Sequence, residues 1–181
     1  MGESLRADWD GGDFWIFGYG SLMWDPGFPH VEVRLALLHG YHRAFCVDST
    51  RYRGTKARPG LVLGLDRGGS CRGLAYRVPA AEADPVYAYL EEREMTTRVY
   101  RPSWLKVATP AGPLLAGAYV VDPAHSNYMG HLSRAEVVAR IRHGRGTRGS
   151  NLDYLRNTVR HLEAMGLGPG DLGKLLKEVE P

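Results

Sequence analysis

The first thirteen residues, MGESLRADWDGGD, carry no apolar period and read as a polar, disordered lead-in over 1–13. Patterned sequence begins at Phe14-Trp15-Ile16-Phe17, an aromatic and β-branched run that suits a buried strand. It stops at Gly18-Tyr19-Gly20-Ser21, where two glycines permit a sharp turn. Further strand-like runs follow at Val31–Leu38, Tyr41–Val47, Gly60–Leu65, Cys71–Val78, Tyr100–Ala108 and Leu114–Val121. Turn signals separate them at Arg58-Pro59-Gly60, Arg67-Gly68-Gly69 and Pro110-Ala111-Gly112-Pro113. Many short strands with short connections argue for a curled, mostly antiparallel sheet or a barrel. The lack of regular strand–helix alternation argues against a doubly wound fold.

Helical periods break into this series. Asp84 is the expected N-cap of a helix with Pro85 in its first position, running from Val86 to about Glu94. The β-branched Thr96, Thr97 and Val99 then favour a return to strand. Ser133-Arg134-Ala135-Glu136 has the form of a capping box, flanked by Leu132 and Val137 as a hydrophobic staple. Asn151 is the expected cap of a helix whose apolar stripe is Leu152, Leu155, Val159 and Leu162, and a last short helix carries Leu172, Leu175, Leu176 and Val179. The expectation is an α+β fold: a compact mixed, mostly antiparallel β-barrel with surrounding helices, forming a single domain over 14–181.

Composition changes little in this picture. With 181 residues, 44% of them hydrophobic, the chain can bury roughly 70% of its unfolded surface without a metal or disulfide. A net charge of +3, with basic residues spread along the chain, does not point to nucleic acid; at most it steers a small acidic substrate. Cys46 and Cys71 show no metal-ligand spacing and read as buried free thiols. The N-terminus lacks an apolar signal sequence, and no 18-residue apolar run exists to span a membrane, so a cytoplasmic protein is expected. The pattern sets no oligomeric state.

Two features carry candidate chemistry. A strand ending in Gly-Tyr-Gly-Ser offers successive backbone N–H groups to a carboxylate or a polarised carbonyl oxygen, with no side chain at Gly18 and Gly20 to obstruct a ligand. It lacks the P-loop pattern and the third glycine of a dinucleotide fingerprint. In the helix from Asp84, Val86, Leu90 and Glu94 share one face at i, i+4, i+8. Glu94 therefore follows the apolar stripe inward, while Glu91 and Glu92 fall on other faces. A carboxylate near a helix C-terminus and partly desolvated should titrate high, as a general base near neutral pH requires. The competing reading pairs an inward Glu with a buried Arg. Arg53 could hold a substrate carboxylate by a bidentate contact, and Tyr154 could reach a cleft from one turn inside its helix. The Gly/Arg loop at 144–149 could bind an anion or be a flexible loop ending at a capping Asn151. His42 and Cys46 lie i, i+4 in a strand, where that spacing does not bring them together as nucleophile and base.

These residues resemble a family. Phe17-Gly18-Tyr19-Gly20-Ser21-Leu22-Met23-Trp24 is similar to the FGYGSL.W motif of the ChaC-type γ-glutamylcyclotransferases, and Tyr89-Leu90-Glu91-Glu92-Arg93-Glu94 to their YL..RE segment. Ser49-Thr50 with Arg53-Gly54, Gly73 to Pro79, Asn127 to Gly130, and Gly149 to Leu155 resemble four more family segments in the family's order, together covering about 15–165. Ser150 after the late glycine, and a short link after Glu94, depart from the pattern. The resemblance implies a compact barrel with helices around it. It also implies cleavage of glutathione to 5-oxoproline and cysteinylglycine, without a cofactor or metal. On it, Glu94 is the catalytic residue. Ile16, Phe17, Gly18, Tyr19, Gly20, Ser21, Leu22, Arg53, Tyr128 and Tyr154 are substrate-binding. The alternatives are the same cyclisation on other γ-glutamyl amines or γ-glutamyl amino acids, and a non-catalytic γ-glutamyl-binding module.

Overall fold

The computed structural model describes residues 4–180. Five strands, β1 (Phe14–Gly18), β2 (Glu32–Ser49), β3 (Gly60–Val78), β4 (Tyr100–Thr109) and β5 (Gly112–Val121), close into a barrel in the order β1-β3-β2-β4-β5. The β1–β3, β2–β4 and β4–β5 ladders are antiparallel, and the closing β1–β5 contact, Trp15↔Ala116 and Ile16↔Gly117, is parallel. The helices are α1 (Ala83–Glu94), α2 (Arg134–His143), α3 (Asn151–Ala164) and α4 (Asp171–Val179), and a two-stranded ribbon of β6 (Arg145–Gly146) and β7 (Gly149–Ser150) precedes α3. The mixed, mostly antiparallel barrel expected from the sequence is therefore present. No helix among the described residues is long and apolar enough to cross a membrane.

Internal contacts divide the chain into two units, residues 1–43 with 65–122, and 44–64 with 123–181. β2 and β3 supply residues to both.

The first unit is built on an aromatic and aliphatic core. Phe14, Ile16, Tyr76, Val78, Val86, Tyr87, Leu90 and Tyr119 are all buried in one cluster, with Phe14 stacked on Tyr87 at 4.6 Å between ring centroids. Two residues of the lead-in, Leu5 and Trp9, pack on this core, while residues 6–8 and 10–13 stay exposed. Leu5–Asp8 form a 3-10 turn capped by Ser4, Leu5 is 2% exposed, and Trp9 packs edge-on against Phe14 and Tyr87. One leucine and one tryptophan bury enough apolar surface to order a segment whose average composition is polar. Residues 1–3 lie outside the described residues.

Two pairs of expected strands fuse. Val31–Leu38 and Tyr41–Val47 are one strand, with Gly40 at φ 84° inside it, and Gly60–Leu65 and Cys71–Val78 are one strand through Gly68 and Gly69 at φ 97° and 67°. The glycines that signal turns in sequence here bend a continuous ladder. The start of α1 also differs. The 3-10 turn Ala80–Glu82 leads directly into it, so Glu82 rather than Asp84 is the N-cap and Pro85 falls inside the first turn, where its missing N–H costs nothing. Asp84 pairs with Arg6 instead.

In the second unit the capping box at Ser133 and Glu136 forms as expected. α3 is capped by Ser150, which accepts from the Asp153 N–H, and not by Asn151. Asn151 is fully buried and bonds both backbone groups of Leu61, accepting at 2.6 Å and donating at 2.8 Å. Arg134 links α2 to Asp171 and Glu178 of α4. Cys46 and Cys71 are buried free thiols.

Candidate active site

The glycine turn leaves β1 and becomes a 3-10 turn, Ser21–Met23, with Gly20 as its N-cap. The N–H groups of Met23, Trp24 and Asp25 bond back to Gly20 and Ser21 carbonyls. Those of Gly20, Ser21 and Leu22 make no hydrogen bond among the described residues, so three consecutive donors remain for a ligand. The turn is fixed from outside. Arg43 donates from Nε to the Tyr19 carbonyl and from Nη2 to the Arg72 carbonyl at 2.7 Å, and Tyr76 donates to the Met23 carbonyl at 2.9 Å. Close packing explains two motif glycines. A Cβ at Gly18 would lie 3.2 Å from Leu22 Cβ, and one at Gly73 would lie 2.3 Å from the Gly18 carbonyl oxygen. The side chains of Ile16, Phe17, Tyr19 and Leu22 are buried in the core. What this stretch can offer a ligand is therefore chiefly backbone.

Glu94 ends α1 on the face of Val86 and Leu90, which are 1% and 0% exposed, as the helical period requires. Its own side chain is 17% exposed. Burial pushes its carboxyl above the ordinary 4.5, and the Arg93 guanidinium, with Nε 3.4 Å from Glu94 Oε1, opposes that rise. Glu91 and Glu92 are exposed, and Ser4 donates to Glu91. The inward carboxylate and the Glu–Arg pair, alternatives in the sequence, are both present.

Arg93 is the residue that sequence reasoning passes over. Its Nη2 donates to Ser21 Oγ at 2.8 Å, and its Nη1 to the Asp25 carbonyl at 2.7 Å and to Tyr89 Oη at 2.5 Å. One guanidinium thus joins the end of α1 to the glycine turn and stands beside Glu94. Ser21 Oγ accepts this bond, so its hydroxyl is held against α1. Tyr119 of β5 is the second such residue. It is buried, and its phenol is pushed up by burial first and then by Glu94 and Glu91. It is a neutral phenol in the field of Glu94. Its one sequence signal is a polar tip inside the apolar run Ala116–Val121.

The other candidates fall in the second unit. Arg53 stacks on Tyr154, 4.8 Å from guanidinium to ring centroid, and Phe45 packs edge-on against the same ring. Arg53 Nη1 donates to the Arg148 carbonyl at 2.5 Å and the Ser150 carbonyl at 3.4 Å, leaving Nε and Nη2 for a ligand. The Gly/Arg loop is an ordered ribbon, held to the segment before Arg53 by Thr147 and Arg148 N–H groups donating to the Arg51 and Tyr52 carbonyls. Tyr128 bridges Val47 across the backbone, and its ring lies over Gly130, where a Cβ would meet the phenol oxygen at 2.0 Å. His42 and Cys46 both lie in the extended strand β2, which does not bring them together. No cluster of metal-ligating side chains occurs among the described residues.

A family model described as ChaC-like protein matches residues 14–181. The chain belongs to that family. It is 38% identical over 182 residues to the glutathione-specific γ-glutamylcyclotransferase of Escherichia coli K12, covering 99% of this chain and 78% of that one. It is 34% identical to mouse glutathione-specific γ-glutamylcyclotransferase 1, covering 91% and 77%. The crystal structure of a yeast γ-glutamyl cyclotransferase specific to glutathione superposes with a TM-score of 0.83 over 93% of this chain and 96% of that one. At 24% identity this likeness speaks for the fold alone.

Proposed function

We propose that the chain is a glutathione-specific γ-glutamylcyclotransferase that works without a covalent enzyme intermediate. The observation that carries the reading is the largely buried Glu94, its carboxyl raised above the ordinary value, tied through Arg93 to a turn whose Gly20, Ser21 and Leu22 N–H groups make no hydrogen bond among the described residues. Relatives named for this activity at 34–38% identity support it.

In the reaction the substrate's α-amino nitrogen attacks its own γ-carbonyl carbon. A new C–N bond closes the five-membered lactam, and the amide C–N bond to cysteine breaks. Because the attack is intramolecular, the protein's main task is to hold the γ-glutamyl chain in a near-attack shape. Glu94 takes one proton from the α-ammonium before attack and a second from the ring nitrogen after it, and passes each in turn to the departing nitrogen, which leaves as the amine of cysteinylglycine and ends as its ammonium. The Gly20, Ser21 and Leu22 N–H groups hold the carbonyl oxygen as it gains charge, or the α-carboxylate. Arg53 offers Nε and Nη2 to a carboxylate, and Tyr154 fixes the plane of that guanidinium.

The test is to incubate folded protein with millimolar glutathione and measure 5-oxoproline and cysteinylglycine by mass spectrometry, beside γ-glutamylalanine and a γ-glutamyl amine. Equimolar products from glutathione are expected. Turnover of the simple amides but not of glutathione would move the substrate to another γ-glutamyl compound, and no turnover of any would remove the cyclotransferase reading.

A further inference from the structure

One strip of the first unit is exposed where strands are normally covered. Val31, Val33 and Leu35 are 59%, 45% and 51% exposed, and their alternation along the chain puts them on one face. β2, which begins at Glu32 just after Val31 and carries Val33 and Leu35, has an open edge. β2 pairs with β4 at Leu37↔Ala108 and Leu38↔Val107, and β4 ends at Thr109 before turning back into β5. Among the described residues no strand pairs with that edge before Leu37. The opposite edge is engaged, with the Val31 N–H donating to the Arg77 carbonyl at 2.9 Å. Proteins usually blunt such an edge with lysine, proline or a bulge. Here the segment reads Val-Glu-Val-Arg-Leu, with one charge of each sign placed symmetrically about Val33.

That symmetry names the occupant. We propose that this edge pairs with the same edge of a second copy of the chain, antiparallel about Val33. Val33 then faces Val33 of the second copy, Glu32 faces its Arg34, and Val31 faces its Leu35. Apolar positions meet apolar ones, and each charge meets its opposite. Shifting the centre to residue 32 sets Glu32 against Glu32, and shifting it to 34 sets Arg34 against Arg34. Parallel pairing opposes like charges at both positions. The register is thus selected by its alternatives as well as by its contacts. Within one copy Glu32 already pairs with Arg34 at 2.6 Å and with Arg77 at 3.3 Å, and the Arg34 guanidinium lies 4.7 Å over the Trp15 ring, yet the Glu32 and Arg34 side chains remain about one-third exposed, so part of each charge still faces the axis. A five-residue edge is short beside a standard interface of about 1,600 Å², so the association is reversible and depends on concentration.

The experiment uses the full chain in sedimentation velocity from about 1 to about 200 μM. The weight-average mass should rise from 20.1 kDa toward twice that value. Val33→Lys sets two ammonium groups against each other at the axis and should hold the chain monomeric over the same range with unchanged circular dichroism. Because Cys46 and Cys71 are buried, Val33→Cys supplies the accessible thiol, and diamide should convert it to a dimer on a non-reducing gel. Leu115→Cys, at a position 58% exposed on β5, should remain mostly monomeric. A wild-type chain that stays monomeric throughout, a dimer indifferent to Val33→Lys, or Val33→Cys crosslinking no faster than Leu115→Cys would each overturn the proposal.

Discussion

A carboxylate that takes a proton and later returns it works best when its pKa stands near the working pH, and burial moves Glu94 in that direction. Glu94→Gln keeps the shape and hydrogen-bonding outline but cannot take the proton. Its kcat should fall about 10²–10⁴-fold, while the exposed Glu91→Gln and Glu92→Gln stay near wild type. Steady-state rates of 5-oxoproline formation check this, and a Glu94→Gln rate within threefold of wild type would assign the proton to another group. The same burial has a consequence for stability. In the unfolded chain Glu94 titrates at its ordinary value, and in the folded protein above it. Between the two, the folded state binds a proton that the unfolded state has released, so ν_N exceeds ν_U and stability falls as pH rises through the folded value. Glu94→Gln removes this loss. Its urea midpoint should exceed that of wild type at about pH 8, and the difference should shrink toward zero near about pH 4. A difference that grew toward acid would reverse the sign of the shift and with it the case for a desolvated base. Sequence alone picked Glu94 from three neighbouring glutamates because helical period decides which of them faces inward. It did not pick Arg93, because a long side chain at a helix end reaches partners that no local period encodes.

At the scale of elements, catalysis on this reading depends on the end of α1 staying in register with the turn after β1, and Arg93 is the link. Its Nη2 holds Ser21, its Nη1 holds the Asp25 carbonyl, and its charge stands beside Glu94. Two substitutions separate those roles. Arg93→Lys keeps a charge but loses the fork, so the acid limb of the kcat/KM profile should stay in place while kcat drops on the order of 10–100-fold from misplacement. Arg93→Met removes the charge as well. The opposition to burial is then gone, Glu94 rises further, and the acid limb should move to higher pH. Identical pH profiles for the two variants would mean that Arg93 acts by position alone. Element boundaries were the least legible part of the chain. Gly40 and Gly68-Gly69 read as breaks because glycine marks turns and bulges alike, and only the ladder tells which. Asn151 read as a cap because its type suits one, yet its amide closes on Leu61, ninety residues away in sequence, and Ser150 one position earlier does the capping. The hairpin of β4 and β5, with its Pro-Ala-Gly-Pro signal, was legible because everything that fixes it is local.

For the molecule as a whole, the sequence presents a modest +3 with basic residues scattered along it, and the scatter hides a partition. The first unit holds ten Lys and Arg against thirteen Asp and Glu, and the second holds thirteen against seven. The excess in the second unit concentrates in the segments 51–58 and 140–148, where Arg51 and Arg148 both lie over the Tyr52 ring, at 5.5 and 4.4 Å. No reading along the chain brings those segments together; the backbone bonds from Thr147 and Arg148 to Arg51 and Tyr52 do. Glutathione near neutral pH carries two carboxylates and one ammonium, so it approaches as an anion. A field of this sign should raise its encounter rate while leaving the bonded chemistry untouched. Raising KCl from about 20 to about 300 mM shortens the screening length to well under 10 Å and should lower kcat/KM several-fold with kcat unchanged. The double variant Arg51→Gln, Arg148→Gln should begin with a lower kcat/KM at low salt and show a flatter dependence, converging on wild type at high salt. Parallel salt slopes for the two proteins would remove those arginines from steering. A wild-type kcat/KM indifferent to salt would mean that the partition of charge has no bearing on substrate capture.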